Sequence, residues 1–346
     1  MVKLLIHGPN RLSGELNVHG AKNSTLPLMA ATLLCRGECV LHNCPRLSDV
    51  DVSARILRHL GCSVSRQGDS LVIDPRCVTQ CDIPDGLMRE MRSSIVFLGA
   101  ILARTGRAVL SFPGGCELGP RPIDLHLQAL RRMGARIVED YGCLSCSAEG
   151  PLHGAAIGLS FPSVGATENV MLAAVLAEGT TVVTNAAREP EICDLADFLN
   201  RCGARVSGAG GSTLVIEGVR SLHGCEHRVI PDRIAAATFM SAAAATGGCI
   251  RLNQVIPAHL EPVIPSFEEL GCSIEIEDTS LRISAPARLG RVKSVRTMPY
   301  PGFPTDAQAP LMAAACLGSG TSIFVENIFE SRYKHVGELL RLGANV

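Results

Sequence analysis

A recurring glycine motif constrains the fold of this chain more than any other feature. A glycine followed by Ala or Cys, and one residue later by Val or Ile, recurs at intervals of about 70 residues, at Gly61, Gly134, Gly203, Gly271 and Gly343. A second glycine precedes each of these by about 25 residues, at Gly37, Gly106, Gly179, Gly247 and Gly320. The chain is therefore predicted to contain five copies of one structural unit.

Each copy has the pattern of two helices and several strands. Stretches rich in Ala, Leu and Met favour a first helix ending at the second glycine, as in STLPLMAATLLCRG and NVMLAAVLAEG. A β-branched strand such as TTVVTN follows, then an amphipathic helix such as DVDVSARILRHLG, then strands such as SLVI and STLVI. The predicted unit is β-α-β-α-β-β, an α/β arrangement. Because one copy cannot cover both faces of its apolar elements, neighbouring copies are expected to pack around a shared interior.

The starts of the first helices are predicted to form a binding site. Positions about four helical turns before the second glycine are Asn23, Arg92, Gly165, Arg233 and Asp306. Helix N-termini expose unpaired N–H groups and the positive end of the helix dipole. A cleft where such ends meet would bind phosphates and carboxylates.

Composition excludes several classes of protein. With 346 residues, 47% of them hydrophobic and 19% charged, the chain is predicted to form two globular domains. A formal net charge of −1 and the lack of a basic run argue against nucleic-acid binding. No apolar run is long enough to span a membrane, and MVKLLIHGPNRL is too short for a signal peptide. A cytoplasmic protein is expected.

The cysteines are interpreted as reduced, apolar residues. The chain has 15 of them, and Cys143 with Cys146 form the one CxxC pair. A structural zinc site would need a second pair of ligands at comparable spacing. Neither a metal site nor a cofactor is therefore predicted.

The segment PGGCELGPRPIDLH, residues 113–126, is predicted to be a mobile loop. Its glycines and prolines forbid a regular element and allow the backbone to fold closely over a ligand. It carries a thiol, Cys116, and a guanidinium, Arg121, followed by Asp124 and His126 as a helix begins. This combination predicts a chemical role.

Several segments resemble the enolpyruvyl transferases, and within them the family that acts on UDP-N-acetylglucosamine. They include GAKNSTLPLMAATLL, MRSSIVFLGAILA, the loop around Cys116, and the stretch that begins SVGATENVMLAAV, with PDRIAAATF and FPTDAQAP in the second half. The cysteine loop distinguishes this family from the sister enzymes that use shikimate phosphate. The resemblance implies two inside-out α/β barrel-like domains, residues 22–230 and residues 1–21 with 231–346. The family has six copies of the unit, so the second domain is expected to be incomplete at Val346.

The implied reaction transfers the enolpyruvyl group of phosphoenolpyruvate to the 3-hydroxyl of UDP-N-acetylglucosamine and releases phosphate. It is the first committed step of peptidoglycan biosynthesis, and the family is inactivated by the epoxide fosfomycin. The expected partners are the two small substrates, with no nucleic acid, membrane or cofactor. Two alternatives remain open: a different acceptor, or a truncated homologue that binds the UDP-sugar with little or no turnover.

The resemblance also implies residue roles. Cys116 matches the family's general acid, since a thiol with a pKa of about 8.5 can give and regain a proton near neutral pH. Asp306 matches the base for the sugar hydroxyl, and a helix N-cap is its alternative interpretation.

The remaining matched positions bind substrates in the family. Lys22 and Asn23 would hold the donor, and Arg121 would hold its phosphate. The uridine nucleotide would be bound by Arg92, Arg121, Pro122, Ile123, Asp124 and Leu125. Further positions that line the cleft, each with a capping or packing role as its alternative, are His126, Ser163, Val164, Gly165, Asp232, Ile328 and Arg332. The backbone of Ser163 to Gly165 would bind the diphosphate at a helix start.

Overall fold

The predicted repeat is visible in the order of the helices and strands. The computed structural model describes residues 5, 7–8, 10–91, 93–112 and 123–346. Copy one contains β1 (Ser13–Asn17), α1 (Lys22–Thr32), β2 (Cys39–His42), α2 (Ser48–His59), β3 (Ser63–Gln67) and β4 (Ser70–Asp74). Copy two contains β5 (Asp82–Ile83), α3 (Asp85–Glu90), α4 (Phe97–Thr105), β6 (Arg107–Ser111), α5 (Asp124–Arg132), β7 (Arg136–Asp140) and β8 (Cys143–Ser147). Copy three contains β9 (Ala156–Gly158), α6 (Val164–Ala174), β10 (Thr180–Thr184), α7 (Pro190–Arg201), β11 (Arg205–Ser207) and β12 (Thr213–Glu217).

The last two copies follow the same order. Copy four contains β13 (Glu226–Arg228), α8 (Arg233–Thr246), β14 (Cys249–Asn253), α9 (Ile264–Glu269), β15 (Ser273–Glu277) and β16 (Ser280–Ser284). Copy five contains β17 (Ser294–Arg296), α10 (Thr305–Ala315), β18 (Ile323–Val325) and α11 (Lys334–Arg341). The α/β fold built from β-α-β-α-β-β units is therefore confirmed.

Two of the copies exchange their first strands. In copies two and three, the first strand pairs parallel with the second strand of its own copy, as in the order β5-β6-β8-β7. The first strand of copy four, β13, instead pairs with β2 of copy one, with Glu226 opposite Val40. In turn β1 pairs with β14 of copy four, with Ser13 opposite Cys249.

The described residues divide into two units at the positions where this exchange occurs. The larger unit is Gly20–Ile230, and the smaller unit comprises the described residues up to His19 with Pro231–Val346. Each has a hydrophobic core of its own, centred on side chains such as Phe97 and Phe198 in the larger unit and Phe267 in the smaller.

The first helices lie inside the larger unit. In α1 every residue from Ser24 to Thr32 is buried, and in α6 every residue from Ala166 to Ala174. A helix that is apolar or small on all sides packs in the interior, whereas α2, α5 and α7 keep a polar face. The strands alternate buried and more exposed residues, as in β10 and β12, so the sheets form the outer layer.

The prediction that each first helix ends at its second glycine is wrong for three copies. Gly106 and Gly247 do cap α4 and α8 in the left-handed conformation, with φ of 71° and 63°. By contrast α1, α6 and α10 end at Thr32, Ala174 and Ala315. In copy three the reason is a competing backbone bond, because Glu178 N–H donates to Leu152 O at 2.7 Å and draws the chain away from the helix.

Candidate active site

The residues counted as helix starts lie at helix starts in four copies. Asn23, Gly165 and Asp306 are the second residues of α1, α6 and α10, and Arg233 is the first residue of α8. In copy two the helix α4 begins later, at Phe97, after a 3₁₀ turn from Ser94 to Val96. Arg92, the counted position of that copy, lies outside the described residues. So do three other predicted site residues, Cys116, Arg121 and Pro122.

The start of α1 places Lys22 at the first position of the helix. Its Nζ lies 3.3 Å from Asp49 Oδ2 of α2, and the Lys22 side chain is 41% exposed. Asn23 follows it and is half-buried. This part of the site therefore presents a cation and an amide at a helix N-terminus.

A buried polar cluster holds the start of α1 in place. Ser24 Oγ donates to Asp194 Oδ2 of α7. Asp194 also contacts His227 Nε2 of β13 at 2.8 Å and accepts from the backbone N–H of Ile230 at 3.4 Å. These bonds join α1, α7 and the exchanged strand, and so they fix the position from which Lys22 projects.

His126 lies on α5 and is buried against α6. Asn169 Nδ2 lies 3.0 Å from His126 Nδ1, and Asn169 Oδ1 accepts the backbone N–H of Gly99 at 2.7 Å. That second bond fixes which end of the amide is oxygen, so Nδ2 is the donor to His126. The neutral imidazole therefore carries its proton on Nε2.

Burial lowers the pKa of His126 to about 4, and the nearby Asp124 carboxylate opposes this shift. At neutral pH the ring is therefore uncharged. A neutral imidazole can donate one hydrogen bond but brings no positive charge to a phosphate.

The start of α6 lies against the His126 ring. Ser163 is the N-cap, and its Oγ accepts the backbone N–H of Ala166 at 3.3 Å. A Cβ added to Gly165 would lie 3.0 Å from His126 Cε1, so a larger residue here would push the ring away by a few tenths of an ångström. Val164 and Gly165 form the first turn, whose N–H groups are suited to an anion.

The residues that precede His126 form the start of α5. Ile123 is the N-cap position and is buried at 8% exposure, Asp124 opens the helix and is exposed, and Leu125 is half-buried. The structure therefore brings Ile123 to His126 together with Ser163, Val164 and Gly165, all of which are predicted site residues.

In the smaller unit, Asp306 and Arg332 form an ion pair. Arg332 Nη2 lies 2.8 Å from Asp306 Oδ1 and 3.1 Å from the backbone O of Thr305. The Asp306 side chain is 42% exposed, and the Arg332 side chain is 13% exposed. The position before the helix is Pro304, and no side chain caps α10. Asp306 thus presents a partly exposed carboxylate whose orientation Arg332 sets.

Glu326 holds the segment that carries Ile328 and Arg332. Its Oε1 accepts the backbone N–H groups of Ile328 at 2.8 Å and Phe329 at 3.1 Å, and its Oε2 accepts Thr305 Oγ1 at 3.0 Å. One carboxylate therefore ties this segment to the first residue of α10, which brings Asp306, Ile328 and Arg332 together.

Asp232 is the N-cap of α8. Its Oδ1 accepts the backbone N–H groups of Ile234 at 2.8 Å and Ala235 at 2.9 Å. The capping role, which is the alternative interpretation of this residue, is thus present.

Three positioning residues were missed by the sequence analysis: Asn169, Asp194 and Glu326. Asn169 and its neighbour Glu168 are buried in α6, where burial, reinforced by Glu191 and Glu189, raises the pKa of Glu168 well above its usual range. The sequence does indicate Asn169 and Glu168, because polar residues inside an otherwise apolar helix must find buried partners.

The chain has the fold of the enolpyruvyl transferases. The enolpyruvyl transferase NikO from Streptomyces tendae matches with a TM-score of 0.87 and 24% identity, covering 97% of this chain and 80% of that one. An EPSP synthase from Acinetobacter baumannii matches with a TM-score of 0.70 and 20% identity, covering 96% of this chain and 79% of that one.

Sequence similarity shows more specifically to which family the chain belongs. Residues 6–346 match the family described as EPSP synthase (3-phosphoshikimate 1-carboxyvinyltransferase). UDP-N-acetylglucosamine 1-carboxyvinyltransferase 2 of Caldanaerobacter subterraneus subsp. tengcongensis is 51% identical, over 100% of this chain and 83% of that protein. UDP-N-acetylglucosamine 1-carboxyvinyltransferase 1 of Symbiobacterium thermophilum is 50% identical, over 99% of this chain and 79% of that protein. The chain therefore belongs to the EPSP synthase family, in the branch of the UDP-N-acetylglucosamine 1-carboxyvinyltransferases.

No helix in the described part of the chain is long and apolar enough to cross a membrane.

Proposed function

We propose that this chain transfers the enolpyruvyl group of phosphoenolpyruvate to the 3-hydroxyl of UDP-N-acetylglucosamine and releases phosphate. The observation that carries the proposal is 49–51% identity with three UDP-N-acetylglucosamine 1-carboxyvinyltransferases over 99–100% of the chain. The name of these relatives states the acceptor and the transferred group. In the cytoplasm this reaction would begin peptidoglycan synthesis, on which cell shape and division depend.

The reaction proceeds by addition and then elimination. In the addition, a base takes the proton of the sugar hydroxyl, the oxygen bonds to carbon 2 of the donor, and an acid protonates carbon 3. In the elimination, carbon 3 loses a proton and phosphate leaves carbon 2, which restores the double bond. Two protein groups that exchange protons are therefore needed.

Asp306 is proposed as the base. General base catalysis needs a carboxylate that is accessible and held in one orientation. The Asp306 side chain is 42% exposed, and Arg332 donates to its Oδ1 at 2.8 Å. The side chain is thus oriented at the start of α10 without being enclosed.

Cys116 is proposed as the acid that protonates carbon 3. The support is its place in the glycine- and proline-rich segment PGGCELGPRPIDLH. A donor-mimicking epoxide such as fosfomycin should therefore alkylate Cys116 in preference to the other cysteines, and peptide mapping of the adduct tests this. An adduct on another cysteine would remove Cys116 from the proposal.

The remaining predicted residues are proposed to bind the substrates. Lys22, Asn23 and Arg121 would hold phosphoenolpyruvate, since Lys22 stands at a helix start with a partly exposed ammonium group. The nucleotide would be held by Arg92, Arg121, Pro122, Ile123, Asp124, Leu125, Ser163, Val164, Gly165 and Ile328. The cleft would also be lined by His126, Asp232 and Arg332. The two domains would be residues 22–230 and residues 1–21 with 231–346.

Phosphate release tests the proposal. The purified 346-residue chain is incubated with phosphoenolpyruvate and either UDP-N-acetylglucosamine or shikimate 3-phosphate, and the product is identified by mass. We expect phosphate release and an enolpyruvyl product when the acceptor is UDP-N-acetylglucosamine, and neither when it is shikimate 3-phosphate. Release with shikimate 3-phosphate in place of the UDP-sugar would contradict the assigned acceptor, and release with neither would contradict the proposed activity.

A further inference from the structure

Three cysteine sulfurs cluster in the larger unit, away from the residues assigned to the substrates, and a fourth lies beside one of them. The Sγ atoms of Cys35, Cys39 and Cys202 all lie within 4.8 Å of one another, and all three residues are buried. Cys225 Sγ lies 3.3 Å from Cys202 Sγ. Among the described residues, Cys35, Cys39 and Cys202 are the one group of three or more His, Cys, Asp or Glu with metal-binding spacing.

The four cysteines come from segments that are distant in the sequence. Cys35 follows α1, Cys39 begins β2, Cys202 follows the last residue of α7, and Cys225 precedes β13. The exchange of strands between copies one and four makes this meeting possible, because β13 pairs with β2.

Backbone hydrogen bonds hold these segments in register. Val40 N–H donates to Cys225 O at 3.0 Å, His223 N–H donates to Cys202 O at 2.9 Å, and Arg36 N–H donates to Leu222 O at 2.8 Å. The sulfur positions are thus set by the sheet and its adjoining turns, independently of any bond between thiols.

The spacing suits a metal ion held by four thiolates. A tetrahedral zinc site with Zn–S bonds of about 2.3 Å has sulfur atoms about 3.8 Å apart. The Cys202–Cys225 separation of 3.3 Å is slightly shorter than that value, and the separations among Cys35, Cys39 and Cys202 do not exceed 4.8 Å. Thiolate ligands favour Zn²⁺ over Mg²⁺ or Ca²⁺.

The surroundings meet two further needs of such a site. Four thiolates around a divalent ion carry a net charge of −2, and the Arg104 guanidinium lies beside them, with Nη1 donating to Cys35 O at 3.5 Å. Cys225 is half-buried, so an ion can enter from its side. The other three ligands are enclosed by the core.

We propose that Cys35, Cys39, Cys202 and Cys225 bind one tetrahedral transition-metal ion, with Zn²⁺ as the natural occupant. Binding forms four metal–sulfur bonds and releases up to four protons, one from each thiol. The ion would tie the segment after α1 to the end of α7 and to the exchanged strand β13. Its role is structural, because no ligand position stays open for a substrate.

Metal binding to the full chain tests this site. The reduced protein is purified without oxygen, loaded with Zn²⁺ or Co²⁺, and freed of excess ion, and the metal content per chain is measured. We expect one ion per chain, and for Co²⁺ the visible absorption of a tetrahedral thiolate complex. A loss of metal affinity of at least tenfold is expected for Cys39→Ala and Cys202→Ala.

Matched variants separate a metal site from packing. Cys146→Ala removes a buried cysteine outside the cluster, and it should leave metal content unchanged. Cys225→Ala alters the half-buried ligand, and so it is the variant to use if substitution of a buried ligand prevents folding. Equal metal content in the wild type and Cys225→Ala, or no bound ion in either, would overturn the proposal. A disulfide between Cys202 and Cys225 in a protein that binds no ion when reduced would also overturn it.

Discussion

The start of α6 in the larger unit, which packs against α5, and the start of α10 in the smaller unit are equivalent parts of the repeat with different polar groups. At the α5–α6 contact the polar groups are uncharged and enclosed, and His126 is 6% exposed. At the start of α10 the polar groups are charged, and the Asp306 side chain is 42% exposed. The same position of the repeated unit therefore carries a buried hydrogen-bond network in one copy and an accessible carboxylate in another.

The number of hydrogen bonds made by Asn169 and by Asp306 explains why one position is enclosed and the other accessible. Asn169 lies within bonding distance of Gly99 N–H, Ile95 O, Gly165 O and His126 Nδ1, so its amide joins α6 to the start of α4 and to α5. Asp306 instead has one side-chain contact among those described, with Arg332. We therefore expect changes at α5–α6 to reduce stability and changes at Asp306 to reduce turnover.

The largest expected effect is that of Asp306→Asn on turnover. The amide keeps the shape of the side chain but cannot take a proton, so kcat for phosphate release should fall roughly 10²–10⁴-fold. The free energy of unfolding should change by only about 1 kcal/mol, because the amide oxygen of Asn can still accept the hydrogen bond from Arg332. Steady-state kinetics and urea unfolding measure the two quantities. The control is Asp74→Asn, which removes a different arginine-paired carboxylate. An equal loss of turnover in both variants would contradict the assigned base.

Acidification tests the enclosed histidine. The folded pKa of His126, about 4, lies below the ordinary value of 6.5. The unfolded chain therefore binds the proton first, and stability contributed by neutral His126 is lost as the pH falls from about 6.5 towards 4. Between pH 7 and pH 4.5 the wild type should lose about 2–3 kcal/mol more than His126→Gln.

Urea unfolding at the two pH values measures this difference. Glu168, whose raised pKa gives a contribution that is lost as the pH rises, is common to both proteins and cancels. The exposed His153→Gln variant should behave as the wild type does. The same pH dependence in wild type and His126→Gln would show that His126 titrates normally.

Removal of the Asn169 amide should have the next largest effect. Asn169→Ala leaves the buried Gly99 N–H without its acceptor, and an unsatisfied buried group costs about 2 kcal/mol. Asn200→Ala is the control, because this exposed residue bonds locally, to Val206. Urea unfolding should show a clearly larger loss for Asn169→Ala. Equal losses would mean that the amide network does not hold the helices together.

The sequence predicted the repeat well, because each copy carries its own glycines and apolar periodicity. It did not by itself reveal the strand exchange. The strand SGELN of β1 has no local feature that selects β14 over β2 as its partner. The cysteine cluster was missed for the same reason, since Cys39 and Cys225 become neighbours through that exchange.

The candidate site was predictable to a smaller extent. Helix starts followed from the spacing of the glycines, but in copy three, where the backbone of Glu178 bonds to Leu152, the helix ends earlier than the glycine indicates. Asn169 and Glu326 were missed because each acts through backbone groups of other segments. Those partners are set by tertiary structure rather than by a motif.

The smallest expected effect concerns Glu326, which holds the segment that carries Arg332 against the start of α10. Glu326→Gln keeps one oxygen acceptor for the N–H groups of Ile328 and Phe329, but it removes the negative charge that strengthens both bonds. The free energy of unfolding should fall by about 1 kcal/mol. Amide hydrogen exchange should be faster at Ile328 and Phe329 while it is unchanged in α8. Because Arg332 lies on the same segment, the KM for UDP-N-acetylglucosamine should rise more than kcat falls. A fall in kcat as large as that of Asp306→Asn would mean that Glu326 takes part in the reaction. The assignment of Glu326 as a positioning residue, with Asp306 as the base, would then be wrong.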